Sequence, residues 1–509
     1  MVFERTKNAS RNIITGLFNK TISIVMPFII RTVIIQKLGI EYLGIDNLFA
    51  SVLQVLNLSE LGLSSAIGYC MYKPLAQNDI KKVNALYLFV SKAYTVVGMV
   101  VLVLGIGLLP FLKYFIHGEI PTSVNIYFLY LIYLFNSVIS YLLFAYKNVL
   151  LNANQRLDIS NNILTITRMV MYIVQLIVLF LFKNYYIYIL FLPICTICNN
   201  LLISKQVNKM FPDFKLQGDL DIQTKKEIKY QVLGLFIGKV SQVSRNSFDS
   251  IIVSSLFGLT LTAIYNNYYY IINAIVAIVT IINSSIIPSI GNSVATESVE
   301  KNYGDFQKFN YIYMWIAGVS TSCLFCLYQP FMKIWVGNKN MLPGFTMSLF
   351  TVYFFCLMIG SVRASYIEAT GLWWQNRWRS IIESVANLIL NILLGKLYGI
   401  NGILIATIVT ILLINFIGSS RILFKYYFSD FSIKEYYFHT VIYALVTLLA
   451  SLVSWVISVY IPGNGVIKLL LIGIETIIVS NIVFLGCYVK FDLFHKSKSW
   501  IISKVVKRR

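Results

Sequence analysis

Charge is what this 509-residue chain has least of: 12% of its residues are Asp, Glu, Lys or Arg, about half the share that keeps a soluble domain's surface in water. With 58% of residues hydrophobic, a water-soluble globular protein is excluded, because too little polar surface exists to cover the apolar remainder. Histidine and cysteine are also sparse, at three and seven. His117, His439 and His495 lie far apart and near no cysteine cluster, so no metal site is expected. Two Cys-x-x-Cys spacings, Cys195 with Cys198 and Cys323 with Cys326, fall in apolar runs where i and i+3 share a helix face. They read as packing thiols rather than a redox or zinc pair. A nucleotide loop is missing as well. Gly234, Gly238 and Lys239 come one residue short of the phosphate-binding spacing, with no Ser or Thr after the lysine, inside an apolar run. No cofactor is expected, and an ATP-driven pump is excluded unless a separate chain supplies the motor.

What the chain has in quantity is apolar runs long enough to cross a hydrocarbon core, about 20 residues each. They fall near 13–36, 44–71, 84–112, 122–147, 161–182 and 186–206, then near 232–256, 262–290, 309–333, 345–367, 378–398 and 401–424, with two more near 437–460 and 466–489. The expected fold class is therefore all-α, a polytopic membrane protein of about fourteen transmembrane helices. It divides into an N-lobe (1–206), a cytoplasmic linker (207–231), a C-lobe (232–431), two C-terminal helices (432–489) and a basic tail (490–509). Arg5, Lys7 and Arg11 precede the first run, which is too long for a signal-peptide core and lacks a small-x-small cleavage site, so that helix is expected to stay in the mature protein.

The second lobe repeats the first. Leu38-Gly39-Ile40 returns as Phe257-Gly258-Leu259, Gly16-Leu17-Phe18 as Gly234-Leu235-Phe236, Pro110-Phe111 as Pro330-Phe331, Gln155-Arg156 as Gln375 with Arg377, and Asp213-Phe214 as Asp430-Phe431. The offset stays near 220 residues, as duplication of a whole bundle requires. Six spans per lobe is an even number, so the repeats are parallel, with an axis along the membrane normal. The net charge of +21 invites a nucleic-acid reading, but the basic residues flank helices. Counted over alternate loops they favour one side strongly, which places both termini in the cytoplasm. Lys209, Lys215, Lys225, Lys226 and Lys229 in the linker, and the tail Lys496 to Arg509, are explained by attraction to anionic membrane lipid, with no nucleic-acid partner. Trp373, Trp374 and Trp378 at a helix end suit an interfacial aromatic belt.

Ionisable residues inside spans are few and therefore informative, because each costs at least about 2.5–3.5 kcal/mol at the bilayer centre. Lys20 and Lys239 sit at matching places in spans one and seven, roughly 10 Å deep at about 1.5 Å per residue. Singly each can snorkel to the interface; their recurrence suggests two cations approaching one central axis. On span seven, Lys239, Gln242, Asn246 and Asp249 form a polar stripe, and Arg245 is four residues from Asp249. That pair reads either as helix glue or as a cation poised for an anion with Asp249 as counter-ion; the adjoining Lys239 favours the latter. Glu60, deep in span two, has no nearby cation in sequence and is a candidate ion-coupling or counter-ion group with Asp249. Arg31, Lys92, Arg168 and Arg363 lie nearer span ends and rank second. Glu475 is mid-span in the last helix and has no assigned role.

Several segments carry a family likeness: Thr6-Lys7-Asn8-Ala9-Ser10-Arg11-Asn12-Ile13, Gly39-Ile40-Glu41-Tyr42-Leu43-Gly44, Ser59-Glu60-Leu61-Gly62-Leu63-Ser64-Ser65-Ala66-Ile67, and Tyr265-Asn266-Asn267-Tyr268-Tyr269. With them the chain resembles bacterial polysaccharide repeat-unit flippases, the Wzx-type exporters, in the superfamily that also holds multidrug extruders and lipid II flippases. The resemblance covers essentially the whole chain and is not specific for the sugar. It implies a non-enzymatic transporter in the bacterial plasma membrane that moves an undecaprenyl-diphosphate-linked oligosaccharide outward, in company with glycosyltransferases and a polysaccharide polymerase. On that reading Lys20, Lys239 and Arg245 attract the diphosphate, while Gln242, Asn246, Tyr265, Tyr268, Tyr269 and Asn273 meet the sugars. A multidrug cation antiporter would require embedded acids to outnumber embedded cations, the reverse of what is seen; a lipid II flippase is indistinguishable by charge.

Overall fold

The computed structural model describes residues 5–57, 63–118, 120–154 and 156–506. It is all-helical, with no strand among the described residues. The chain forms two compact units, Met1–Ala263 and Ile264–Arg509.

The first unit holds α1 (Arg5–Lys37), α2 (Ile40–Leu56), α3 (Leu63–Ala76), α4 (Ile80–Leu108), α5 (Ile126–Leu142), the short α6 (Asn148–Ala153), α7 (Leu157–Leu181), α8 (Tyr185–Met210) and the first part of α9 (Ile222–Thr296). Helix starts are set by polar caps at the ends of apolar runs. Asn125 accepts from the backbone N–H groups of Tyr127 and Phe128 at 3.0 and 3.2 Å, and Asn184 from those of Tyr186 and Ile187 at 2.9 and 3.2 Å. Within the unit α1 packs on α7, α7 on α8, and α5 on both α4 and α8.

After the end of α9 the second unit continues with α10 (Val299–Trp335), α11 (Gly344–Met358), α12 (Ser361–Ala369), α13 (Trp373–Val409), α14 (Ile417–Tyr426), α15 (Ile433–Val459), α16 (Gly465–Tyr488) and α17 (Asp492–Val506). Its exposed surface is apolar and its interior partly polar. On α16, Val466, Ile467, Leu470, Ile474, Ile477, Ile478 and Ile482 are exposed, whereas Ile472, Thr476, Ser480, Phe484 and Tyr488 are buried. On α15, Thr447, Ser451, Ser454 and Ser458 recur at helical spacing on the buried side. The Ser451 and Ser322 hydroxyls meet at 3.0 Å, tying α15 to α10. Small polar residues inside and large aliphatic ones outside suit helices packing in lipid, where burying apolar surface gives no advantage.

Counted by length and apolarity among the described residues, ten helices can span a bilayer, or eleven if the bent pair α5/α6 forms one span. The expectation of about fourteen is not met by this count. Expected spans seven and eight run together as α9, and eleven and twelve as α13 with its continuation, because in each case only a single glycine breaks the helix: Gly258 at φ 86° and Gly399 at φ 65°. The expected second span is shared between α2 and α3, either side of residues 58–62, which lie outside the described residues.

The repeat is visible in local backbone. Residues forced into positive φ recur about 220 residues apart: Gly39 at 124° with Gly258 at 86°, Gly118 at 82° with Gly337 at 78°, and Lys183 at 50° with Gly399 at 65°.

Candidate functional site

In the first unit the polar contacts of α1 converge on one face of α7. The Asn19 amide donates to Thr165 Oγ1 at 2.8 Å, and one turn further along both helices Arg168 Nη1 donates to Ser23 Oγ at 3.1 Å. Lys20 stands one turn before Ser23 and is exposed. Among the described residues neither Lys20 nor Arg168 forms an ion pair. The structure therefore brings a first-rank and a second-rank candidate to neighbouring turns of α1, with amide and hydroxyl groups beside them. Arg31, about three turns beyond Lys20 on the same face, donates to Asn47 Oδ1 at 3.2 Å and is half-buried. Lys92 on α4 is exposed.

The candidates on α9 fall into two groups. Glu60 lies outside the described residues, and the side chains of Lys239, Gln242, Arg245 and Asn246 do so too, although their backbone is helical. Asp249 is buried, two residues beyond Ser247, whose hydroxyl donates to Gln54 Oε1 on α2 at 3.0 Å. The tyrosines proposed to meet sugar separate by burial. Tyr268 is enclosed: its hydroxyl donates to Gln329 Oε1 at 2.9 Å and accepts from the Leu342 N–H at 3.1 Å, and its ring packs on Phe350 at 5.5 Å. Tyr265 is buried against Phe350 at 5.1 Å. Tyr269, half-buried beside Tyr353 at 6.1 Å, and exposed Asn273 keep open surface. Thus Tyr265 and Tyr268 hold α9 to α10 and α11, and within this set only Tyr269 and Asn273 are not buried.

Two polar clusters were not legible in the sequence. The first surrounds Asp46 of α2: the Tyr133 hydroxyl donates to Asp46 Oδ1, the Tyr185 hydroxyl stands 3.4 Å from that of Tyr133, and Tyr185 donates to the Tyr42 carbonyl at 3.1 Å. The second lies in the other unit. Arg363 is buried and donates to the Phe416 carbonyl and to Asn415 Oδ1, both at 2.7 Å, and to Ser420 Oγ at 3.3 Å. The Asn415 amide in turn bonds Glu383 at 3.0 and 3.2 Å, and Glu383 pairs with Arg379 one turn away on α13. Asn387 and Asn391 continue the stripe: the Asn387 amide donates to the Thr407 and Thr410 hydroxyls, and the Asn391 amide donates to Asn387 Oδ1. The stripe Arg379, Glu383, Asn387, Asn391 recurs at helical spacing, as the polar stripe on span seven does, and that was the available signal.

Arg363 has a counterpart in the first unit. Lys147 is buried and donates to Ser204 Oγ and Asn208 Oδ1, both at 2.7 Å. Lys147 and Arg363, like Ser204 and Ser420, lie at repeat-related positions. Each cation also sits over a phenylalanine ring, Phe144 at 4.9 Å and Phe416 at 5.4 Å. Each is thus a pin joining a short helix to a long one.

This architecture, a polytopic helical membrane protein built from a duplicated bundle, is the fold of MOP-superfamily transporters. A structure of the lipid II flippase MurJ in an inward closed conformation matches 94% of this chain and 99% of its own length, with a TM-score of 0.67 at 15% identity. An inward-facing MATE-family multidrug resistance transporter of the MOP superfamily matches 81% of this chain and 98% of its own, with a TM-score of 0.61 at 14% identity. A MOP-superfamily transporter from Pyrococcus furiosus, described as having a binding pocket of reversed polarity, matches 82% and 96%, with a TM-score of 0.55 at 13% identity. No family profile matches the sequence, and no curated protein matches it.

Proposed function

We propose that the protein is a flippase that carries undecaprenyl-diphosphate-linked oligosaccharide repeat units from the inner to the outer leaflet of the bacterial plasma membrane, by alternating access, for surface polysaccharide assembly. The observation that carries this reading is the polar face of α1, where Arg168 donates to Ser23, one turn from exposed Lys20, with no ion pair to either cation among the described residues. A diphosphate head needs such a place, and sugars need amide and hydroxyl groups such as those of Asn19 and Ser23. On the same reading Lys239 and Arg245 add charge from α9, with Gln242, Asn246 and Tyr269 contacting sugar and Asp249 or Glu60 as counter-ion. The lipid tail need never leave the membrane. Moving each negative charge outward against an inside-negative potential is downhill by about 2.3 kcal/mol per 100 mV, so coupling to an ion gradient is optional.

Charge reversal tests it. Lys20→Glu, Arg168→Glu and Arg245→Glu, each with membrane expression confirmed, are expected to abolish surface polysaccharide in a strain dependent on this protein; normal polysaccharide from all three would overturn the assignment. The likeness to a lipid II flippase supports a second reading with the same anionic head, a lipid II substrate. Rescue of a strain depleted of its own lipid II flippase would select that reading.

A further inference from the structure

Glu475 is the acid that the proposed transport reaction does not use. It lies ten residues into α16 (Gly465–Tyr488), about 15 Å along the axis at about 1.5 Å per residue and so near the middle of a hydrocarbon core. Its neighbours Ile474, Ile477 and Ile478 are exposed on the surface that faces lipid in a membrane, while Ile472 and Thr476 are buried against α10 and α15. Glu475 sits at the edge between these faces. The Thr476 hydroxyl donates to Glu475 Oε2 at 3.1 Å, whereas Oε1 is enclosed and has no hydrogen-bond partner among the described residues.

The groups that could hold a carboxylate there are few. From α10 the titratable neighbours are the thiols Cys323 and Cys326, which carry no positive charge when neutral. From α15 the seam receives the hydroxyls of Ser451 and Ser454. On α16 itself the nearest cation is Lys468, two turns back, about 10 Å away. Among the described residues Glu475 has no ion pair. An ionised carboxylate in acyl surroundings with one unsatisfied oxygen and no counter-ion is strongly disfavoured, and a neutral carboxylic acid is not.

We propose that Glu475 is a proton-binding site within the membrane, a carboxylic acid that stays protonated at neutral pH. The inference is independent of which lipid-linked substrate is carried. The test uses the full-length protein in native membranes at pH 7, treated with the lipid-soluble reagent dicyclohexylcarbodiimide and, in parallel, with a water-soluble carbodiimide. A protonated carboxyl adds across a C=N bond of the reagent, its proton passing to nitrogen and its oxygen to the central carbon. Migration of the acyl group to nitrogen then fixes the adduct, with no leaving group. Peptide mass spectrometry is expected to find the whole-reagent adduct on Glu475 from the lipid-soluble reagent only, and to lose it in Glu475→Gln. Recovery of Glu475 unmodified from folded protein at pH 7, while the same peptide is modified in the denatured chain at pH 5, would overturn the proposal.

Discussion

A cation survives inside a membrane protein only if oxygen atoms replace the water it loses, and Lys147 and Arg363 show two solutions. Lys147 uses a serine and an amide; Arg363 uses a serine, an amide and the backbone carbonyl of Phe416, which lies in a stretch of π-helix. The geometry at Arg363 exploits the planar fork, so Arg363→Lys is expected to destabilise despite keeping the charge. Arg363→Met is expected to cost about 1–3 kcal/mol for each buried acceptor it strands, the Asn415 Oδ1 and the Phe416 carbonyl foremost; thermal unfolding in detergent, compared with wild type, reads both. In the segment before α9, Asp219 is held below the usual carboxylate range by hydrogen bonds from Lys225 and the Leu220 N–H, and Asp221 by its bonds to Thr224. Both acids are fully exposed. A depressed carboxyl contributes its stabilisation above the unfolded value, about 4, and loses it as pH falls through the lower folded value. Amide exchange protection at Thr224 and Lys225 is therefore expected to be level from pH 8 to pH 5 and to fall only under stronger acid. Asp46 shows why some residues were illegible: its partner Tyr133 is 87 positions away, and nothing local distinguishes a satisfied helix carboxyl from a loop one.

At the level of elements, the breaks between helices matter as much as the helices. A side chain at Gly44 would meet the backbone of Leu259, with an added Cβ 2.2 Å from its carbonyl oxygen, so α2 and α9 touch there through bare backbone. Gly258 holds the break at φ 86° and lies against the His117 carbonyl, 2.6 Å from an added Cβ. Gly258→Ala is expected to cost about 1–3 kcal/mol from the backbone alone, because φ 86° with ψ 179° is a region essentially reserved for glycine, and Gly44→Val more, since two main chains would have to separate. Both are expected to lower the yield of monodisperse protein and its unfolding temperature. The glycines themselves were legible, because Gly39 and Gly258 stand at the centre of matching tripeptides. The merger of α9 was not, because apolar runs on either side of a single glycine look like two spans whether or not a loop lies between them. The polar seams were half legible: periodicity exposes the stripe on α13, while the hydroxyl partners on neighbouring helices become visible only once the helices are packed.

For the whole molecule, composition settled the class and the repeat settled the plan. The boundary between compact units falls after Ala263, within α9, whereas the sequence places its most polar segment at 207–231; polarity marks where the chain meets water, and contacts mark where it packs. The basic loops give a topological prediction. In a cysteine-free background, Leu216→Cys, an exposed position in that polar segment, is expected to resist a membrane-impermeant maleimide in intact cells and to react after permeabilisation. Reaction in intact cells would reverse the orientation. The excess of cations over acids within the expected spans also predicts that expression confers no resistance to cationic drugs, scored by minimum inhibitory concentrations.

The central claim, that Lys20 and Arg168 at the polar face of α1 receive an anionic lipid head, is met most directly by transport in proteoliposomes. Purified protein is reconstituted with a fluorescent undecaprenyl-diphosphate oligosaccharide, and leaflet exchange is followed with an impermeant quencher. Wild type is expected to exchange the lipid, and the Lys20→Glu, Arg168→Glu double variant to do so at least about tenfold more slowly, the loss that follows from removing about 1.4 kcal/mol of attraction. Equal exchange by the folded double variant and wild type would contradict the account.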